Sequence, residues 1–150
     1  MGSIPTPGIR APFACQPRAI PSPRPMSGSA LPWVALGGAL GSMLRYLVGE
    51  ALRRAPGAEA FPWGTMVINV GGSFALGWFL KWAAATDASP SVRAFVAVGL
   101  CGGFTTFSTF AIEHLTLLQA GHPTRAALQA ILSLAGAVLA AGLGYGLAAR

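Results

Sequence analysis

Four long apolar stretches make up most of the chain after residue 30, and they constrain its fold more than any other feature. The stretches cover residues 31–49, 60–80, 94–112 and 126–149. Each is close to the ~20 residues that an α-helix needs to cross the ~30 Å hydrocarbon core of a bilayer. The segments between them are short and contain Pro and Gly, which end helices. The pattern predicts an all-α integral membrane protein with four transmembrane helices.

The composition excludes most classes of soluble protein. Charged residues make up 9% of the 150 residues and hydrophobic residues 53%, whereas a soluble domain carries about 25% charged residues. We expect no enzyme, because the sequence has no catalytic triad, phosphate-binding loop or Cys/His metal spacing. We also expect no nucleic-acid partner. The net charge of +6 comes from scattered basic residues that suit the ends of membrane helices.

Residues 1–30 form a separate segment rich in proline. Seven prolines and three arginines lie among its first 25 residues. Prolines at this density prevent helix formation and favour an extended, solvated chain, and the segment lacks the apolar core of a signal peptide. We predict a disordered tail, followed by a transmembrane domain over residues 31–149. Met26 offers an alternative start of translation, and the sequence leaves open which start is used.

The basic residues outside the helices are divided equally between the two sides of the membrane when the chain is counted from Met26. The side of the N-terminus receives Lys81, Arg93 and Arg150, and the opposite side receives Arg53, Arg54 and Arg125. An excess of Lys and Arg normally fixes orientation, so this balance predicts insertion in both orientations and an antiparallel dimer. If the tail is translated, Arg10, Arg18 and Arg24 change the count to six against three. That count favours a cytoplasmic N-terminus.

The third apolar stretch contains the sequence GLCGGFTTFSTF at residues 99–110, which is unusual for a helix interior. Two adjacent glycines cost ~1 kcal/mol each in a helix, so we predict that the helix breaks or loosens from Gly102 onward, through Phe104 and before Phe107. Non-helical backbone at membrane depth has to be buried in protein or line a cavity. Its free carbonyl groups would suit a hard cation. Beyond the break, the spacing of Phe107 and Phe110 predicts that both rings project from one face, with hydroxyl-bearing residues beside them.

Two polar residues lie within the first two stretches. Asn69 is the only asparagine and lies midway along the second stretch, and a polar group inside a membrane helix is a functional candidate by default. It serves either as a hydrogen bond between helices or as part of a transport path, and both interpretations stay open. Arg45 lies near the end of the first stretch. It either extends to the membrane interface or makes a vestibule attractive to anions.

Two pairs of glycines indicate where helices pack closely. Gly37 and Gly41 are four residues apart in the first stretch, and Gly142 and Gly146 are four residues apart in the fourth. Glycine at this spacing lets helix backbones approach each other in lipid. We therefore expect both pairs to lie at contacts between helices.

Three segments resemble the Fluc/CrcB family of fluoride channels, in the same order along the chain. They are residues 37–46 (GGALGSMLRY), 64–69 (GTMVIN) and 102–110 (GGFTTFSTF). The resemblance covers about residues 28–149, including helix number and loop lengths, and does not cover the proline-rich tail. It implies a fluoride-selective channel of the cell inner (plasma) membrane. Such a channel exports fluoride from the cytoplasm down its gradient and assembles as an antiparallel, dual-topology homodimer.

The resemblance also implies roles for individual residues. Backbone carbonyl groups of Gly102 and Thr105, at the break in the third helix, are expected to hold a structural sodium ion on the dimer axis. Arg45 is expected in the vestibule. The fluoride path is expected to follow one amide, two phenylalanines and three hydroxyl groups, of Asn69, Phe107, Phe110, Ser108, Thr109 and Ser133. Ser133 is included because the resemblance implies a serine in the fourth helix.

These residue types suit a small, strongly hydrated anion. Amide and hydroxyl groups donate hydrogen bonds that replace water around fluoride. The electropositive edges of phenylalanine rings can face an anion without a full positive charge that would retain it. The sequence leaves the conduction rate and the gating undetermined. It also leaves open whether a paralogue replaces the second copy.

Two other functions fit a small membrane protein with four helices. A dual-topology exporter of drugs or cations would need a carboxylate well inside a helix. We place Glu50 at a helix end and Glu113 after the third apolar stretch, so neither meets that need. A membrane assembly factor that transports nothing would leave Asn69 and the glycine-rich break without a role.

Overall fold

The computed structural model describes residues 30–54 and 61–148, and every regular element within them is a helix. Helix α1 covers Leu31–Arg53 and α2 covers Trp63–Ala85. Helix α3 consists of Pro90–Arg93, a π-helical part at Ala94–Cys101, and Gly102–Phe104. Helix α4 covers Phe107–Gln119 and α5 covers Pro123–Leu147. The predicted tail lies outside the described residues, apart from Ala30.

Three helical segments are long and apolar enough to cross a membrane, namely Leu31–Arg53, Pro90–Gln119 and Pro123–Leu147. Helix α2 has the same 23-residue length as α1 but is not one of the three. Its sequence contains Asn69, Lys81 and four glycines, which lower its mean hydropathy. The structure therefore supports an all-α membrane protein, and the fourth span remains a prediction.

The helices end in tight turns that keep consecutive helices close. At the end of α2, Ala88 donates its N–H to the carbonyl of Ala83 at 3.0 Å, and Asp87 has a φ of +50°. The Arg93 guanidinium donates to the carbonyls of both Ala83 and Ala88, at 2.6 and 3.0 Å. Gly121, with a φ of +76°, makes the equivalent turn after α4. One of the basic residues counted for orientation thus also caps a helix end.

Helix α1 packs mainly on α3, and the first glycine pair lies at their contact. Gly37 and Gly41 are both buried. A Cβ atom added at Gly37 would lie 2.9 Å from the nitrogen of Leu100, and one added at Gly41 would lie 2.8 Å from the nitrogen of Phe104. The prediction for this pair is confirmed, because only glycine leaves room for the backbone of α3.

The prediction for the second glycine pair is wrong within the protomer. Gly142 and Gly146 are exposed, and an added Cβ at either would meet nothing within 4 Å. Helix α5 instead packs on α2 through Gly144, which is buried against the backbone of Phe74. Residues two positions apart project ~200° apart on a helix. Because Gly144 faces α2, Gly142 and Gly146 point away from α2.

The structure narrows the predicted break to its C-terminal end. Both glycines are helical, and α3 continues to Phe104. Thr105 and Thr106 are extended, with ψ angles of 156° and 118°. An added Cβ at Gly103 would lie 3.0 Å from the Cα of Gly38. The glycines thus permit close packing against α1, which stabilises their helical conformation, and the backbone leaves the helix only beyond that contact.

Candidate functional site

The side chain of Asn69 on α2 closes the gap between α3 and α4. Its Nδ2 donates to the carbonyl of Thr106 at 2.9 Å, and the N–H of Thr106 donates to its Oδ1 at 2.8 Å. In a continuous helix that N–H would bond to the carbonyl of Gly102. Asn69 therefore makes a hydrogen bond between helices, as the first of the two interpretations of this residue predicted. Its amide has a second N–H, so the transport interpretation stays a prediction.

The hydroxyl of Thr106 organises the start of α4. Thr106 is buried, and its Oγ1 accepts a hydrogen bond from the N–H of Thr109 at 3.3 Å, as an N-cap does. Its Oγ1 also lies 3.3 Å from the Oγ of Ser108 and 3.0 Å from the Oγ1 of Thr109. Ser108 and Thr109 are exposed on the protomer. We call Thr106, Ser108 and Thr109 the hydroxyl cluster.

Two phenylalanines project from one face of α4, as their spacing predicts. The ring centroids of Phe107 and Phe110 are 5.5 Å apart and the rings are tilted by 40°. Phe107 is 79% exposed on the protomer, whereas Phe110 is half-buried and also contacts His114, with centroids 5.8 Å apart. We call Phe107 and Phe110 the aromatic pair. Phe104 does not join it, because its ring lies against Gly72 of α2.

An open cavity of about 660 Å³ lies between α1, α2 and α4. Arg45 is half-buried in its wall and shares the cavity with Thr106 and Thr109. The structure thus places the predicted vestibule residue in the same cavity as two members of the hydroxyl cluster. Glu50 also lines the cavity, and its carboxylate forms ion pairs with Arg53 and Arg54. These polar and charged groups lie in a wall that is otherwise mainly apolar, with Phe61, Trp63 and Ile68 among its residues.

A second polar group lies further along α4. The half-buried carboxylate of Glu113 accepts hydrogen bonds from Thr65 Oγ1 at 2.7 Å and from Gln129 Nε2 at 3.3 Å. The Oε1 of Gln129 lies 3.2 Å from the Nδ1 of His114. The expectation that Glu113 does not lie well inside a helix is wrong, because α4 continues to Gln119.

Sequence reasoning left Thr106 and Gln129 out of the site. A threonine directly before a helix start is a typical N-cap, so Thr106 had a recognisable signal. Gln129 shares one face of α5 with Ala126 and Ser133, at spacings of three and four residues, and all three are buried. That spacing marks the inward face of the helix. The hydrogen-bond partners of Gln129 come from another helix and left no signal in the sequence.

The remaining predicted residues are not brought together within the protomer. Ser133 is 8% exposed, and its Oγ has no hydrogen-bond partner among the described residues. Gly102 is exposed and its carbonyl is not paired with the N–H of Thr106. Thr105 is half-buried, and its hydroxyl donates to the carbonyl of Cys101 at 3.0 Å. No cluster of three or more His, Cys, Asp or Glu side chains occurs in residues 30–54 and 61–148.

Comparison with known proteins assigns the chain to a family. The model of CrcB-like protein, Camphor Resistance (CrcB), matches residues 32–145. A protein of Thermus thermophilus is 48% identical over 112 residues, which cover 75% of this chain and 87% of the relative. A protein of Mesorhizobium japonicum is 44% identical over 115 residues, covering 77% of this chain and 92% of the relative. Both relatives bear the name fluoride-specific ion channel FluC. This chain belongs to the CrcB family.

Proposed function

We propose that this protein is a fluoride-selective channel of the inner (plasma) membrane, which lets fluoride leave the cytoplasm down its gradient. The observation that carries the proposal is the similarity to relatives named fluoride-specific ion channels, at 44–48% identity over three quarters of the chain. The aromatic pair, the hydroxyl cluster and Asn69 lie on or beside one helix start. They supply the groups that a dehydrated anion needs.

The proposed path replaces the water around fluoride with protein donors. Ser108 and Thr109 are exposed and can rotate their hydroxyl groups toward an anion. Asn69 has one N–H besides the one bound to Thr106, and the unpaired hydroxyl of Ser133 is a further donor. The ring edges of the aromatic pair add a weak positive surface. This combination stabilises the ion enough to enter and lets it leave.

Arg45 provides attraction at the entrance. A positive charge in a concave wall raises the local concentration of anions, and Arg45 lines the cavity together with Thr106 and Thr109. The cavity would therefore collect fluoride beside the hydroxyl cluster before dehydration. Glu50 reduces this effect only partly, because its charge is already paired with Arg53 and Arg54.

The channel is proposed to be an antiparallel homodimer in lipid. Phe107, Ser108, Thr109 and Gly102 are exposed on the protomer, so the proposed path is incomplete without a second surface. The equal distribution of basic residues, when the chain is counted from Met26, supports opposite orientations of the two copies. A dimer of this kind would contain two equivalent fluoride paths.

A structural sodium ion is proposed on the dimer axis, held by backbone carbonyls of Gly102 and Thr105 from both copies. The donor set fits a hard cation, because the break leaves the Gly102 carbonyl without its helical partner. The ion would neutralise carbonyl dipoles where two interrupted helices meet.

Substitution at position 105 tests the sodium site. The N–H of Thr105 donates to the Cys101 carbonyl at 3.0 Å, and proline would remove that bond and redirect the carbonyl. Thr105→Ser should retain the dimer and fluoride flux, whereas Thr105→Pro should reduce both. Equal flux in the two variants, or an axis without ion density after exchange of sodium for a heavier cation, would contradict the site.

The competing function is a small dual-topology exporter of drugs or cations. Glu113 is inside a helix, as such an exporter requires, yet its two oxygens are already bound by Thr65 and Gln129. Flux from liposomes separates the two functions. We expect rapid efflux of fluoride, little efflux of chloride and no dependence on a proton gradient. Cation movement driven by protons, with no fluoride efflux, would reject the channel.

A further inference from the structure

The side chain of Gln129 on α5 is 1% exposed and is the largest fully buried side chain in the described part of the chain. Burying an amide costs several kcal/mol unless its hydrogen bonds are made. Gln129 makes them on both sides, to Glu113 at 3.3 Å and to His114 at 3.2 Å. Both partners lie on α4, next to each other in the sequence. One glutamine thus attaches α5 to α4 at two points.

The chemistry of these groups fixes the direction of each hydrogen bond. A carboxylate only accepts, so the Nε2 of Gln129 faces Glu113 and its Oε1 faces His114. His114 must then donate from Nδ1. The donors run from His114 to Gln129 and from Gln129 to Glu113, while Thr65 donates to Glu113 from the other side. This order requires the Nδ1–H form of His114.

Helix α4 depends on such attachments more than its neighbours do. None of its residues is buried, whereas α2 has six buried residues and α5 has five. Within the protomer, apolar burial therefore fixes the position of α4 only weakly. Polar contacts hold it at its start, where Asn69 binds Thr106, and again at Glu113 and His114. The aromatic pair lies between these two attachments.

We propose that Gln129 is a positioning residue for the aromatic pair. By holding Glu113 and His114, it fixes the rotation of α4 about its axis. The direction of the Phe110 ring follows from that rotation and from its contact with His114, at 5.8 Å between centroids. The proposal rests on the proposed function, because it assigns Gln129 an effect on fluoride conduction that is exerted through Phe110.

The first test replaces Gln129 with a residue of similar size that makes no hydrogen bonds. Gln129→Leu should lower fluoride flux by about tenfold or more, equivalent to ~1.4 kcal/mol in the barrier. Gln119→Leu is the matched control, because Gln119 is exposed at the end of α4, and its flux should not change. Normal flux in Gln129→Leu protein with normal dimer yield would overturn the proposal.

Two substitutions of His114 separate the hydrogen bond from the ring contact. His114→Asn retains an N–H close to the position of Nδ1, so it keeps the bond to Gln129 and loses the ring. His114→Phe keeps a ring beside Phe110 and loses the bond. If the attachment to Gln129 positions α4, the Asn variant should conduct more fluoride than the Phe variant. The reverse order would overturn the proposal, and it would be informative even if Gln129→Leu failed to fold.

A measurement without fluoride separates this proposal from the proposed function. The chain has two histidines, so His122→Ala leaves one imidazole for nitrogen-15 NMR of the protein in lipid. The spectrum should show the Nδ1–H form of His114, and Gln129→Leu should abolish that preference. An unchanged spectrum would overturn the proposal. If the spectrum responds but the unsubstituted protein passes no fluoride, the proposed function fails while the attachment of α4 by Gln129 stands.

Discussion

The amide of Asn69 occupies the place of a peptide group. It accepts from the N–H of Thr106 and donates to the carbonyl of the same residue, as a neighbouring strand would do. Leaving one buried polar group without its partner costs ~1–3 kcal/mol. A single side chain therefore makes the interruption between α3 and α4 tolerable inside a membrane.

Replacing Asn69 with Asp keeps the size of the side chain and removes its donors. One carboxylate oxygen could still accept from the N–H of Thr106, but the other would face the Thr106 carbonyl and repel it. We expect fluoride flux to fall by about tenfold or more while the dimer still forms. Efflux from liposomes and gel filtration measure these two properties. Unchanged flux would leave Asn69 with a structural role only.

The aromatic pair should be sensitive to loss of its rings rather than of its volume. Phe110→Ile and Phe107→Ile each retain an apolar side chain but remove the electropositive ring edge. Both should reduce fluoride efflux severely with little change in dimer yield, since hydrophobic replacements of similar volume are well tolerated. Phe74→Ile on α2 is the control, because Phe74 lies outside the aromatic pair. Normal efflux in both variants would show that the two rings are not part of the proposed fluoride path.

At the scale of helices, the face of the helix on which a glycine lies decides whether two backbones meet there, and the spacing between glycines does not. Gly144→Ala places a methyl group against the carbonyl of Phe74. Overpacking of this kind should destabilise the protein by ~1–3 kcal/mol. Gly142→Ala is the matched control, because its added Cβ meets nothing within 4 Å, and alanine favours a helix by up to ~1 kcal/mol. Thermal unfolding in detergent should separate the two, and equal losses would contradict the assigned faces.

The membrane segment Pro90–Gln119 shows how far sequence predicts local structure here. Gly102, Gly103 and the hydroxyl-bearing residues after them correctly indicated a region that departs from an ordinary helix. Propensity did not show where within that region the helix ends: contact with α1 keeps the glycines helical, and the chain opens at Thr105 and Thr106. Propensity is a local property, whereas the contact with Gly38 is tertiary. The position of the gap therefore depended on information from another helix.

In the candidate site, too, relations within one helix could be predicted from the sequence, and contacts between helices could not. The three-residue spacing predicted that Phe107 and Phe110 project from one face, because that relation lies within a single helix. The pairing of Gln129 with Glu113 could not be predicted, since it depends on how α5 lies against α4. Asn69 is intermediate. Its position midway along a predicted membrane helix marked it as important, but its partner, Thr106, became evident only from the packing of α2 against the gap.

At the scale of the whole molecule, the described part of the protomer has an apolar exterior, and the basic residues after Met26 are predicted to divide equally between the two sides. Large side chains such as Leu31 and Leu134 are 67% and 72% exposed, which suits contact with lipid or with a second copy. Two of the basic residues at the helix ends, Arg53 and Arg54, form ion pairs with Glu50. Acidic residues contribute little to the orientation rule, so these pairs leave the balance unchanged.

A chain that begins at Met26 should insert in both orientations. Its basic residues then divide three against three between the two sides, and no excess remains to select one orientation. Reporter proteins fused to the C-terminus should give signals from both sides of the membrane. The full chain from Met1 is the comparison, because its added arginines favour one orientation. A single orientation for the chain from Met26 would contradict the antiparallel dimer.

The absence of buried residues in α4 has a consequence for local stability. Segments with few buried contacts open at a fraction of the free energy of global unfolding. Helix α4 also borders the open cavity through Thr109, Glu113 and Thr116, so solvent reaches its backbone when it opens. Hydrogen exchange of the dissociated protomer should therefore divide Pro90–Gln119 into two cooperative units, with the amides of α4 exchanging well before those of α3. The half that carries the aromatic pair and the hydroxyl cluster would then be the half that its own protomer restrains least.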